Sequence, residues 1–208
     1  MSTDHILETV GRYYAGRLAE HGPGPRGVDW NGEESQRLRH AQFLRLIEAE
    51  PEASVLDLGC GYGDFLDFLR ARGHRGAYAG WDVAPEMVAA AAAKHGEGAD
   101  RTWNVGAVPD APCDYAIASG VLNVKGDVET AAWATYVEGV IDTLAASGQR
   151  GFGFNVLSLS SDPEKRRSHL FYADPAGLMR HCLERYGRHV AVLQDYGLWE
   201  FTVLVRRG

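Results

Sequence analysis

The sequence predicts an α/β fold: a doubly wound, seven-stranded, mostly parallel sheet whose last strand runs antiparallel, with an N-terminal helical lid. Three observations predict it. From Ser54 onward, short apolar strand candidates alternate with segments of helical period, as strand–helix–strand crossovers do. The first of those strands runs straight into a bend with glycine at alternate positions, Val55-Leu-Asp-Leu-Gly-Cys-Gly-Tyr-Gly63. The final two strand candidates, His189–Gln194 and Trp199–Val205, are separated by only a few residues. A parallel crossover needs roughly a dozen or more, so this pair must be an antiparallel hairpin at the sheet edge.

Size and composition fit that architecture. At 208 residues the chain suits one domain, with residues 1–50 as a helical cap belonging to the same domain as residues 51–208. Lys plus Arg number 21 against 28 Asp plus Glu, a formal net charge of −7. Such a surface does not attract phosphate backbones, so nucleic acid is disfavoured as a partner. The most basic string, Lys165-Arg166-Arg167, reads as a solvated loop. Cys60, Cys113 and Cys182 show no paired spacing, which fits a reducing cytoplasm. No apolar run approaches the roughly 18 residues of a membrane span, and Met1 to Val10 lacks a signal-peptide pattern. The expectation is a cytoplasmic, bacterial or cytosolic, protein that is a monomer or homodimer and does not meet a membrane.

The elements follow in order. Ser2 or Thr3 can cap a helix carrying Ile6, Val10, Tyr13, Tyr14 and Leu18 on one broad face. The proline- and glycine-rich joint His21-Gly-Pro-Gly-Pro-Arg-Gly27 breaks it. Asn31 and Glu34 make a capping-box signature for a second helix, with Leu38, Ala41, Leu44 and Ile47 at helical spacing and Pro51 ending it. Strand one, Ser54–Leu58, turns at the glycines into a helix from Asp64 that Gly73 stops. Tyr78–Val83 is strand two, and Pro85 opens an alanine-rich helix to His95. Arg101–Val105 and Asp114–Ser119 are strands three and four. Asp127 is placed to cap a long helix bearing Trp133, Val137, Ile141 and Leu144. Gln149–Leu157 is strand five, and Pro175 starts the last helix, to about Tyr186.

In an open α/β sheet, ligands bind outside the carboxyl ends of the strands. The glycine bend lies at such an end, and its backbone can take φ > 0 and lie directly against a ligand. The dinucleotide fingerprint wants Gly-x-Gly-x-x-Gly. Here the spacing is Gly-x-Gly-x-Gly, preceded by Asp57 and followed by Asp64, whose carboxylate repels a phosphate but tolerates a sulfonium or ammonium. With Asp82 after the next strand, this motif resembles that of class I S-adenosylmethionine (SAM)-dependent methyltransferases. Over residues 27–205 the strings Gly27-Val-Asp-Trp30, Ser119-Gly-Val-Leu-Asn-Val-Lys125 and Phe171-Tyr-Ala-Asp-Pro175 resemble a bacterial branch of that group.

The resemblance implies SAM as cofactor, and an antiparallel final strand is its topology. It implies that Asp57, Gly59, Cys60, Gly61 and Gly63 lie along the methionine part and that Asp82 accepts the ribose hydroxyls, although Asp82 could instead cap the helix at Pro85. Trp81 and Val83 would flank the adenine and the loop of Gly106, Ala107 and Val108 would hold its edge, with backbone groups at Ser119 and Gly120 facing the sulfonium and the amino group. Trp30 would close over the pocket. Arg37 would pair the cofactor carboxylate or merely lie on a solvated helix face. Strand four lacks the Asn/Asp-Pro-Pro-aromatic string of enzymes that methylate nucleobase amines. The loop after strand five, Ser158–Asp174, is long enough to be functional. It supplies His169 and Tyr172 as candidate catalytic groups, with His40 second to His169 as base; each histidine could equally be structural. Trp199, Phe201 and Val203 read as pocket lining or as one buried strand face. No metal-ligand spacing is present. The expected activity is methyl transfer to a small-molecule acceptor, oxygen preferred over nitrogen. A SAM-binding module without catalysis, and protein or nucleic-acid methylation, are the alternatives.

Overall fold

A computed structural model describes residues 3–207; Ser2, one of the two capping candidates, lies outside them. Seven strands form one sheet: β1 (Val55–Leu58), β2 (Tyr78–Asp82), β3 (Arg101–Val105), β4 (Cys113–Ala118), β5 (Gly148–Leu157), β6 (Val190–Leu193) and β7 (Glu200–Arg206). Their order is β3-β2-β1-β4-β5-β7-β6. β1 pairs in parallel with β2 and β4, whereas β7 runs antiparallel to both β5 and β6. The short β6–β7 link enforces that reversal, as the sequence requires.

Six helices flank the sheet: α1 (Thr3–His21), α2 (Glu33–Ile47), α3 (Asp64–Arg70), α4 (Pro85–His95), α5 (Thr130–Ser147) and α6 (Pro175–Arg185). Alternation along the inner strands sorts the core into two halves. Leu56, Leu58, Ala116 and Ala118 face α5 and α6, with Trp133, Val137, Ile141 and Leu144 buried against them. Val55, Tyr115 and Ile117 face the other way, onto Phe43, Leu46 and Ile47 of α2 and the Phe65–Leu69 run of α3. The two halves bury the central strands on both sides, hence their near-continuous apolar sequence.

Only residues 106–112 join β3 to β4, leaving no room for a crossover helix there. The N-terminal helix lies on that side instead: Ile6 and Val10 of α1 join the cluster of Leu58 and Val140. Its proline-glycine joint is tied back by Asp29, a left-handed residue (φ 62°) that accepts from Tyr13 Oη at 2.7 Å and pairs with Arg17 at 3.1 Å. Helix α2 is clamped from its other end. Arg39 Nε donates to Glu200 Oε2 at 2.8 Å, with Glu200 fully buried, and the Arg39 guanidinium lies 3.9 Å over the Trp30 ring.

Four local expectations are corrected. The α2 N-cap is Gly32 in extended backbone, without a side-chain bond, so the Asn31–Glu34 box does not form. The buried face of α2 runs through Gln36, Arg39, His40, Phe43, Leu46 and Ile47, while Leu38 is exposed; the Arg39–Glu200 pair and the Phe43 contacts set this rotation. Helix α5 starts at Thr130 with Glu129 at its cap, past Asp127, because Lys125 and Val128 close a turn first. Trp199 precedes β7 and is half exposed, its Nε1 donating to Asp162, whereas Phe201 and Val203 are buried. No helix among the described residues is long and apolar enough to cross a membrane.

Candidate active site

The bend between β1 and α3 is held by backbone hydrogen bonds, two of them to β2. Gly59 and Cys60 N–H donate to the Trp81 carbonyl at 2.7 and 3.0 Å, and Gly63 N–H to the Cys60 carbonyl at 3.0 Å. Gly59 (φ 79°) and Gly61 (φ 54°) need the left-handed region. A Cβ on Gly59 would stand 2.3 Å from Val121 Cγ2, and one on Gly61 3.0 Å from Val28 Cγ1. Only glycine lets these neighbours come so close.

Two carboxylates frame the bend. Asp82 joins two loops: its Oδ2 accepts from Gly61 N–H and its Oδ1 from Ala84 N–H, each at 2.9 Å. Asp82 is not the N-cap of α4, which is Ala84 without a side-chain bond; its Oδ1 instead holds the turn that precedes the helix. Burial raises its pKa while the backbone donors lower it. Asp57, 4% exposed, accepts from Tyr78 Oη at 2.5 Å. Burial pushes the Asp57 carboxyl up to about 7; the Tyr78 bond opposes this, and the nearby charges of Asp82 and Asp64 add to it.

A cavity of about 510 Å³ opens above this frame, walled by the bend, the ends of β2, β3 and β4, and the N-terminal segment. Most of the residues expected to hold a cofactor meet there: Asp57, Gly59, Cys60, Gly61, Asp82, Val83, Ala107, Ser119, Gly120 and Trp30. Gly63 stands behind the bend, packed on Trp103 and His95. The Trp30 ring lies so close to Gly120 that a Cβ there would be 2.4 Å from it.

Arg37 is not in this cavity; it lines a smaller neighbouring one of about 330 Å³ with Arg72 and Lys94. Helix rotation explains this, because the Arg39 and His40 side of α2 turns inward. His40 does line the main cavity. It is buried edge-on against Phe65 and Phe68, its Nδ1 without a hydrogen-bond partner and 3.7 Å from Asp64 Oδ2. Burial, reinforced by Arg39, Arg37 and Arg72, pushes its pKa down to about 3.

His169 and Tyr172 are not brought to the cavity. Their loop docks along the segment after β4, with Phe171 N–H on the Asn123 carbonyl and Lys125 and Gly126 N–H on the His169 carbonyl. His169 is exposed, and Tyr172 Oη accepts from Arg167 N–H at 2.9 Å. The backbone pairing turns both side chains away.

Sequence reasoning missed several polar groups on the wall, Tyr14, Gln36, Tyr62 and Tyr136 among them. Tyr62 Oη donates to Gln36 Oε1 at 3.1 Å, and Tyr14 Oη reaches the Gly120 carbonyl at 3.5 Å. Burial raises the Tyr14 phenol far above its ordinary range and, with Asp82, pushes Tyr136 up to about 12. The spacing Ala132, Tyr136, Gly139, Thr143 was a readable signal for a second helical stripe beside the core face of α5. Among the described residues, no group of three or more His, Cys, Asp or Glu could hold a metal ion.

Comparison with known proteins gives this geometry a family. A methyltransferase domain model matches residues 32–182. The candidate methyltransferase Rv1506c of Mycobacterium tuberculosis is 45% identical over 165 residues, covering 79% of this chain and 99% of that protein. Trans-aconitate 2-methyltransferase of Streptomyces avermitilis is 32% identical over 141 residues, 57% of this chain and 48% of that one. Among solved structures, magnesium protoporphyrin IX methyltransferase of Synechocystis PCC 6803 with bound S-adenosylhomocysteine (SAH) superposes with a TM-score of 0.67 at 14% identity over the whole of both chains. The DhpI–SAH complex gives 0.65 at 19% identity, covering 100% of this chain and 99% of that one.

The residues present fit SAM on structural grounds. The glycine bend lines the cavity, two buried carboxylates beside it can accept hydroxyl and ammonium protons, and the His40 nitrogen without a hydrogen-bond partner lies within reach of a polar ligand. The chain belongs to the methyltransferase domain family and is a class I SAM-dependent methyltransferase.

Proposed function

We propose that this enzyme methylates a small molecule at oxygen, and that the oxygen is a carboxylate. The observation that carries this reading is the protonation state of the cavity wall. His40, held down to about 3, cannot keep a proton at neutral pH and so is a poor base. Tyr14 and Tyr136 stay neutral, because burial keeps their phenol protons on. Asp57 is already bonded to Tyr78. An alcohol or ammonium acceptor needs its proton removed before it attacks; a carboxylate arrives as the nucleophile. The curated relative named for trans-aconitate, an acid, supports the same acceptor class. The net charge of −7 speaks against a polyanionic nucleic-acid substrate.

Bound SAM supplies an electrophilic methyl group on a sulfonium. In this reading Asp82 accepts the ribose hydroxyls and Asp57 the ammonium, with the Gly59–Gly61 backbone along the amino-acid part and Val83 and Ala107 flanking the adenine. Gln36, Tyr62 and the free nitrogen of His40 take the place assigned to Arg37 and hold the cofactor carboxylate. Trp30 and Tyr14 close over Gly120, exclude water and fix the acceptor, which at a contact of about 3 Å can lower the barrier by several kcal/mol.

Turnover with SAM against matched acids, alcohols and amines tests this. Methyl esters formed from acids, recognised by release of methanol in mild alkali, are the expected outcome. Alkali-stable products from amines alone would overturn it.

A further inference from the structure

The cavity lining extends beyond the residues expected to hold the cofactor. From Tyr14 and Gly120 it continues as a groove between α1 and α5, walled by Ile6, Leu7 and Val10 on one side and Tyr136, Gly139 and Val140 on the other. Lining residues extend from Tyr14 back to Thr3 on α1 and from Ala132 to Thr143 on α5. Each stretch is twelve residues, eleven steps and a run of about 16 Å at the helical rise. No helix joins β3 to β4, and Ile6 and Val10 of α1 join the core cluster on this flank instead. Gly139 is exposed, and a Cβ built on it meets nothing within 4 Å. At Gly139 the groove therefore has room for a side chain and opens to solvent.

We propose that the groove binds the apolar chain of the methyl acceptor, whose carboxylate head sits at Gly120 and Tyr14. This rests on the carboxylate reading above and adds a substrate class, an acid with an extended hydrocarbon portion. Three facts select that occupant. The groove is continuous with the reaction end, so head and chain belong to one molecule. Its walls between the two helices carry aliphatic side chains and uncharged hydroxyls, Thr135, Tyr136 and Thr143, and no ionised group. Its open mouth sets no upper limit on chain length.

Calorimetric titration of the SAH-loaded protein with butanoate, octanoate and dodecanoate tests this, repeated on Gly139→Leu. The new side chain fills the open space, and leucine favours the helix more than glycine does, so the variant should fold. Affinity should rise up to roughly fourfold per methylene buried, with at least a tenfold gain from butanoate to octanoate. Gly139→Leu should remove most of that gain and leave SAH affinity within twofold. Affinity independent of chain length would overturn the proposal. So would a tenfold loss of SAH affinity in Gly139→Leu, which would assign the groove to the adenosyl group. Ester formation is read separately: chain-dependent binding without any ester would keep the groove and sink the carboxylate reading.

Discussion

If Asp57 pairs with the cofactor ammonium, binding must expel a proton near neutral pH. The Asp57 carboxyl, raised to about 7 by burial, is protonated in about half of the free molecules at pH 7. A cation beside it favours the charged form, so SAH binding should release about 0.9 proton at pH 6, about 0.5 at pH 7 and about 0.1 at pH 8. Titrations in buffers of different ionisation enthalpy measure this directly. The same shift appears in stability. Between pH 3.8 and about 7 the folded carboxyl holds a proton that the unfolded one has lost, so its contribution falls as pH rises through that window. The full shift corresponds to an upper limit of about 4 kcal/mol. Asp57→Asn has no charge to bury. Its urea stability relative to wild type should rise by about 2–4 kcal/mol from pH 4 to pH 8, while SAH affinity drops at least tenfold. Buffer-independent binding heats, with parallel pH–stability curves for the two proteins, would refute the reasoning.

Other substitutions probe the frame. Arg39→Met should cost about 3–5 kcal/mol because it strands buried Glu200, and Arg39→Met with Glu200→Leu should recover much of that in a double-mutant cycle of urea midpoints. His40 takes up no proton in the folded protein until about pH 3, while the unfolded chain takes one up near 6.5. Wild-type stability must therefore fall as pH drops through that window, by about 2–3 kcal/mol at pH 4.5, and His40→Leu should lack this component. His169→Ala should leave kcat/KM within twofold, since the side chain is exposed and outside the cavity; a hundredfold loss in steady-state assays would restore it to the site.

Much of the fold was legible because it is written in local chemistry. The helix Pro85–His95 and the strand Arg101–Val105 match their expected bounds, since proline at a first helical turn and a β-rich run after glycine leave few choices. Cavity residues on strand ends were legible for the same reason: parallel topology sends every strand's carboxyl end to one rim. What failed depends on distant partners. Two side-chain caps, at Asn31 and Asp127, were displaced by neighbouring turns. The rotation of α2, which turns His40 inward and Arg37 away, is set by a buried ion pair 161 residues apart in sequence, invisible to periodicity. The Ser158–Asp174 loop was long enough to be functional, yet its backbone pairs with residues 123–126 and spends its length on packing. The α1–α5 groove escaped notice because it forms where a helix is missing.

A crystal structure of the SAH complex tests the central claim most directly. The ribose hydroxyls should lie within hydrogen-bond distance of Asp82 and the ammonium within reach of Asp57, with the homocysteine backbone on Gly59–Gly61 and the α1–α5 groove still free. The nucleoside lodged between the two helices, out of reach of Asp82 and the Gly59–Gly61 backbone, would contradict it.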